Sequence, residues 1–192
     1  MIHLPAPVFL CCILLHFRYG GGDRKEGDTG YCALTNVDGA HFQIQRQPGG
    51  KLWFSWKFRK PGLNYEVATN VQTGLIVWMG GPYCASTANI AMFRVDLMHW
   101  LEPGEQVIAN DGYGYVGVTQ RERTTIAWPN MPGDSNKSRR MKSYAQLRHE
   151  TVNSRLKMWN ILTGVIHEEV RLHQEVFLPL GQLILAVEYS DK

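Results

Sequence analysis

The sequence predicts a mixed α/β domain. From Tyr31 to Met79, short runs rich in β-branched and aromatic residues are separated by Gly, Pro and Asn turns, a strand signature. After Thr87 the apolar period lengthens to that of a helix. One further apolar run, Gln106–Ala109, then precedes long helical stretches. Strands, a helix, a strand and more helices give a mixed sheet with helices packed on it.

Each element follows from its residues. Tyr31–Gln45 reads as two strands joined at an Asp38-Gly39 turn. Lys51–Phe58 alternates in part and reads as a strand, broken by Lys60-Pro61-Gly62. Leu63–Val71 and Leu75–Met79 read as strands joined by a hairpin at Gln72-Thr73-Gly74 and ended by Gly80-Gly81-Pro82. Thr87–Leu101 places Ile90, Phe93, Leu97 and Leu101 on one side, as an amphipathic helix does. Gly114–Ser135 reads as irregular. Ser138–Leu162 reads as a long helix with Tyr144, Leu147, Val152, Leu156 and Trp159 apolar. Val165–Leu185 reads as one or two helices interrupted at Pro179.

The chain has 192 residues, enough for one domain with a core. Residues 1–30 form a separate N-terminal segment with a Gly-rich loop, and 31–192 the domain. Val8–Phe17 is apolar but shorter than the roughly 20 residues that span a bilayer. With only His3 where a signal peptide carries Lys or Arg, it reads as a buried element or as a start outside the domain. Neither secretion nor a membrane partner is expected, and the protein is expected to be nuclear or intracellular. Cys11, Cys12, Cys32 and Cys84 show no metal-ligand spacing and read as reduced thiols.

Net charge is +3, and its distribution matters more than its sum. Lys137, Arg139, Arg140, Lys142, Arg148, Arg155 and Lys157 lie in one interval whose sole acid is Glu150. Such a cluster reads either as a solvated helix face or as a contact for DNA phosphates. Trp53 and Trp56 read either as core and sheet surface or as stacking platforms for bases.

Three acids stand where chemistry would need them. Asp38 closes an apolar run beside a glycine, Asp111 follows the strand Gln106–Ala109, and Glu150 lies on the basic helix. Two carboxylates at strand ends and one on a helix are what a two-metal phosphoryl-transfer site requires. The plainer alternatives are an Asp-Gly turn for Asp38 and helix-surface salt bridges for Glu150.

From about Asn36 to Tyr189, the chain resembles the DDE superfamily endonuclease domain of Harbinger-type transposases. The stretches that carry the resemblance occur in family order: VDGAHFQIQ, SWKFRKPGLNYEVATNVQTGLIVWMGGPY, IAMFR, PGEQVIANDGY and RHETVNSRLKMWNIL. The resemblance implies an RNase H-like mixed sheet flanked by helices and a pair of Mg²⁺ or Mn²⁺ ions. It also implies cleavage and joining of DNA phosphodiesters, with target recognition through a helix-turn-helix-like region or a separate DNA-binding partner protein. Asp38 matches the first catalytic Asp and Glu150 the catalytic Glu. The place of the second Asp, two residues before the Gly of the Gly-Tyr pair, is held by Asn110, with Asp111 one residue late. Asn89 stands in a stretch where the family usually has Asp, and no helix-turn-helix-like region precedes Asp38. Two functions follow: a transposase-derived nuclease using Asp38, Asp111 and Glu150, or a relative that keeps the fold as a DNA-binding or scaffold module without cleavage.

Overall fold

A computed structural model describes residues 33–44, 51–101, 105–114, 117–129, 131–163 and 170–190. Readings on Val8–Phe17, on the Gly-rich loop and on Cys11, Cys12 and Cys32 lie outside the described residues. The expected mixed α/β class is observed. The strands are β1 (Ala33–Gln43), β2 (Phe54–Ser55), β3 (Lys60–Asn70), β4 (Ile76–Cys84), β5 (Gln106–Ala109) and β6 (Ile126–Ala127). The helices are α1 (Asn89–Val95), α2 (Gln120–Thr125), α3 (Asn136–Lys157), α4 (Asn160–Thr163) and α5 (Val170–Ser190).

The six strands form one mixed sheet in the order β2-β3-β1-β5-β6, with β4 also paired to β3. β1 and β4 each run antiparallel to β3, whereas β5 is parallel to β1 and β6 parallel to β5. The central strand β1 thus has an antiparallel neighbour on one side and a parallel one on the other.

Alternation along β1 sorts its residues between two cores. Ala40 and Phe42 pack with Leu63, Tyr65 and Val67 against Val152, Leu156, Leu162, Phe177 and Ile184. This face carries α3, α4 and α5. Val37 packs on the opposite face with Ala68, Phe93, Leu97, Val107, Ala109 and Tyr113, beneath α1. A smaller cluster of Val71, Ile108, Ala127 and Ala145 seats the first half of α3. The helix α5 approaches β4 so closely that a Cβ on Gly181 would meet Met79 Sδ at 2.1 Å. On the same face the Tyr65 ring stacks on Phe177, and the Tyr65 hydroxyl lies 2.7 Å from His173 Nδ1. Burial pulls the His173 imidazole down to about 4, so the ring in this core is neutral near pH 7.

Several elements depart from expectation. Asp38 and Gly39 do not turn the chain. They sit inside β1, paired with Val67 and Glu66. Gly39 is needed for a close approach instead: a Cβ there would lie 3.0 Å from Asn89 Oδ1. Lys60-Pro61-Gly62 is the start of β3 rather than a break: Pro61 pairs with Phe54 of β2 on one side, and its carbonyl accepts from the Ile44 N–H on the other, so the missing proline N–H costs nothing there. Lys51–Phe58 is a 3-10 turn at Lys51–Trp53, then β2, then a turn. β4 runs through Gly80, Gly81 and Pro82 with a shift in register. The helix expected over Thr87–Leu101 divides into α1 and a 3-10 turn at Leu97–His99. The irregular stretch contains α2 and β6, and the Thr119-Gln120-Arg121-Glu122 capping box that opens α2 was present in the sequence as its signal. α5 continues past Pro179, which lies on the exposed side where water can satisfy the freed carbonyl. The helix expected over Ser138–Leu162 ends at Lys157; in α3, Val152 and Leu156 are buried as expected, Tyr144 and Leu147 are exposed, and so is Trp159 between α3 and α4.

One buried acid stands out. Glu66, on β3, is fully buried and accepts a hydrogen bond from the Tyr113 hydroxyl at 3.2 Å, while its Oε2 meets no partner. Burial pushes its carboxyl up to about 8. The folded state therefore holds a proton that the unfolded chain releases near pH 4.5. Stability from this group is complete below that pH and is lost as pH rises toward 8. We expect Glu66→Gln to flatten the fall in stability between pH 4.5 and 8. The effect should reach a few kcal/mol, because each tenfold change in a protonation equilibrium corresponds to about 1.4 kcal/mol. Chemical-denaturation midpoints across that range check this; a parallel pH dependence in the two proteins would refute it.

Candidate nucleic-acid cleft

Two hydrogen bonds set α3 on the sheet. Asn36 Nδ2, on β1, donates to the Ala145 carbonyl at 2.8 Å. His149 Nε2 lies 2.8 Å from the Val67 carbonyl of β3, with Asn153 Nδ2 3.3 Å from its Nδ1. These contacts fit one tautomer, in which Nε2–H donates and Nδ1 accepts. They leave Glu150, the next residue, exposed at the edge of a cleft between α3, the middle of β1 and the end of β5.

The cleft has a volume of about 290 Å³, and Asp38, Asn110, Asp111 and Glu150 all line it. Residues far apart in sequence therefore line one cleft. Parity explains which side chains point where. Asn36 and Asp38 on β1 alternate away from Val37, toward α3. On β5, Ile108 faces α3 and Ala109 the opposite core. Asn110, still extended at φ −80° and ψ 178°, continues the Ile108 direction. Asp111 then begins a 3-10 turn, Asp111–Tyr113, and sits exposed at the rim.

The Asn110 carboxamide donates from Nδ2 to Asp38 Oδ1 at 2.7 Å. Its orientation is fixed, because its Oδ1 accepts from the Gly112 N–H at 2.8 Å. A flipped amide would set oxygen against carboxylate and N–H against N–H. Asp38 Oδ1 also accepts from the Gly39 N–H at 2.7 Å, with Asn89 Nδ2 at 3.5 Å. Gly39 and Gly112 make room for this arrangement. A Cβ on Gly112 would lie 2.8 Å from Asn110 Oδ1 and 2.9 Å from Asn89 Nδ2.

This donor set does not suit a pair of divalent ions. Mg²⁺ and Mn²⁺ take hard oxygen ligands, and a two-ion site needs carboxylates to offset their charge. Here Asp38 Oδ1 is met by N–H groups, and the neighbour in position to complete the site is a neutral amide presenting its nitrogen. Asp111 and Glu150 line the same cleft, yet among the described residues no three His, Cys, Asp or Glu side chains are grouped to hold one ion.

The basic residues divide into two sets. Lys142 is buried, and its Nζ donates to the Trp128 carbonyl at 2.6 Å and to both Asp134 oxygens at 3.0 and 2.8 Å. Arg148 donates to the Val71 and Gln72 carbonyls and lies over the Tyr144 ring at 4.7 Å. The expectation that Lys142 contacts DNA is corrected, because it is buried where it closes the α3 N-terminal region onto the loop before it; Arg148, half-buried, clamps the β3–β4 hairpin. Lys137, Arg139, Arg140, Arg155 and Lys157 are exposed on α3. A further cleft residue, which the sequence did not single out, is Gln146; its place one turn before Glu150 was legible from helical spacing.

No protein-family model, curated protein or solved structure matches this chain. Among the described residues, no helix is long and apolar enough to cross a membrane.

Lys142→Ala leaves Asp134 as a buried carboxylate without its cation, at an expected cost of about 3–5 kcal/mol in stability. Arg139→Gln with Arg140→Gln, both exposed, should change stability by less than about 0.5 kcal/mol. Thermal unfolding of the two variants beside wild type distinguishes buried from surface cations; equal melting temperatures in both would contradict the division.

Proposed function

We propose that this chain is a DDE-nuclease-like domain that binds DNA in the nucleus across the Asp38–Glu150 cleft without cutting it. The mixed sheet with helices on both faces, and an acid on its central strand, supports an RNase H-like reading of the fold. The family stretches quoted above, in family order, support the transposase descent. The exposed cations on α3, the helix that carries Glu150, support a DNA partner held through phosphates, with affinity that falls with salt and with little sequence preference. Recognition of a particular target then rests with a separate DNA-binding partner protein.

The observation that carries the loss of cleavage is the Asn110–Asp38 hydrogen bond. It fills, with an uncharged donor, the place that the resemblance gives to a metal-binding carboxylate. A neutral amide offsets none of the charge that two divalent ions bring within about 4 Å of each other. A second reading, an active Mg²⁺- or Mn²⁺-dependent nuclease, is favoured by one observation: Asp111 reaches the same cleft as Asp38 and Glu150.

The deciding comparison is wild type, Asn110→Asp and Asp111→Ala, each assayed for nicking of supercoiled DNA with Mn²⁺ and for Mn²⁺ binding by calorimetry. Wild type is expected to leave DNA intact. Asn110→Asp is expected to bind Mn²⁺ roughly tenfold or more tightly, since a unit charge at 4 Å contributes ~1–4 kcal/mol, and to acquire nicking. Without metal, that variant sets two carboxylates against each other and should unfold at lower temperature. Efficient nicking by wild type that disappears in Asp111→Ala would replace this reading with the active one.

A further inference from the structure

A second surface lies beyond the far end of α3. β2 and β3 form a hairpin in which Ser55 pairs with Lys60, so its tip is Trp56-Lys57-Phe58-Arg59. Aromatic and cationic residues alternate there, and all four are exposed, Trp56 at 74%. Two contacts lie within the tip. Ser55 Oγ accepts from the Phe58 N–H at 3.3 Å, and Trp56 packs edge-on against Phe54 at 5.2 Å. Arg59 occupies a left-handed conformation at φ 53°, which glycine adopts more cheaply. A long cation is thus kept where the backbone favours a residue without a side chain.

Beside the tip is a groove of about 290 Å³ whose lining includes His41, Phe58, Lys60 and Lys157. The Phe58 ring lies nearly flat on His41, with centroids 4.5 Å apart and planes 20° from parallel. Lys57 Nζ sits 5.3 Å from the Phe58 centroid. His41 is itself held by Asn64, whose Oδ1 lies 2.9 Å from His41 Nδ1. From Asp38 to Glu66 the chain contains Arg46, Lys51, Lys57, Arg59 and Lys60 and no acid between those two residues. Lys157 follows Glu150 by about two helical turns on α3, so it lies on the same side of the helix about 10 Å further along. One helix face therefore connects the carboxylate cleft to this groove.

We propose that the β2–β3 hairpin tip and the Phe58–Lys157 groove bind single-stranded DNA, with bases stacking on Trp56 and Phe58 and phosphates meeting Lys57, Lys60 and Lys157. The chemistry selects this partner. Exposed aromatic rings accept the π-face of any unpaired base, and interleaved cations follow the backbone. Duplex DNA keeps those π-faces inside its stack. An anionic lipid surface would also suit aromatic and basic residues. The concave groove, with His41 and Phe58 beside Lys60 and Lys157, instead fits a planar base next to a phosphate. The inference extends the DNA reading above to an unpaired strand, on residues that take no part in the Asp38 cleft.

The test is fluorescence anisotropy of a short labelled oligothymidylate with the full chain in EDTA, so that the outcome is independent of metal at the other cleft. Wild type should bind this oligonucleotide more tightly than a duplex of equal length. Trp56→Ala and Phe58→Ala should each weaken binding roughly tenfold, and Trp56→Phe should restore most of the loss. Lys60→Gln and Lys157→Gln should each lower the salt slope by about 0.7. Melting temperatures of the two lysine variants should stay at the wild-type value, because these side chains are exposed, while each aromatic variant, losing one ring contact worth about 0.5–1.5 kcal/mol, should stay folded at the assay temperature. Unchanged affinity in both aromatic variants, or an equal loss on duplex, would overturn the proposal. So would capture by phosphatidylserine vesicles, sensitive to the same variants, without oligonucleotide binding. Gain of nicking in Asn110→Asp with no effect of the tip variants would sink this inference and leave the cleft reading standing.

Discussion

The cleft depends on how α3 is fixed to the sheet. Helix backbone groups satisfy one another, so a helix can slide on an apolar surface unless polar contacts fix its register. Asn36 and His149 supply those contacts here, each pairing a buried side chain with a carbonyl of the facing element. An unmade bond of this kind would strand a buried polar group, which costs more than the bond itself contributes. With the register set, Glu150 comes to the mouth of the cleft, and Lys157 to the groove about two turns beyond it. Arg148, gripping the β3–β4 hairpin, reinforces the same placement from the opposite side of α3.

On the sheet side, the cleft exists because β1 changes neighbours. Its antiparallel partner β3 and parallel partner β5 leave Asp38 beside the point where β5 ends, and the chain must turn away there. What fills that space is an amide bridge. Asn110 satisfies Asp38 and the Gly112 N–H with opposite ends of one side chain. Two glycines, Gly39 and Gly112, allow Asn89 to crowd in beside it. Asp38 Oδ1 is thereby satisfied by uncharged donors, which offset no charge. This is the physical content of the difference between a carboxylate and an amide at residue 110.

Much of this was legible in the sequence. The strand residues, the long basic helix and the three acids of the cleft were all named from pattern and spacing. Asn110 was also recognisable as the inward residue, because strand alternation carries Ile108 and Asn110 to the same face. Other parts were not legible, for identifiable reasons. Asp38-Gly39 has the composition of a turn, but its glycine answers to Asn89, a residue on another element. Gly and Pro within β3 and β4 look like breaks until the pairing partners are known. The short strand β6 is stabilised by β5 and the core, not by its own two residues.

The sequence by itself determined the α/β class, the directions of side chains along β1 and β5, and the chemistry available at each position. Those follow from local periodicity and side-chain type, which need no partner. Only the tertiary structure decided which charges are usable. Lys142 and Arg140 are equivalent as letters two positions apart. Yet one is sealed against Asp134 and Trp128 while the other meets solvent, because a helix has one face toward its domain and another toward water. The structure likewise decided that Trp53 belongs to the core and Trp56 to the surface: the extended pair Phe54–Ser55 lies between them, and Trp56 begins the exposed turn.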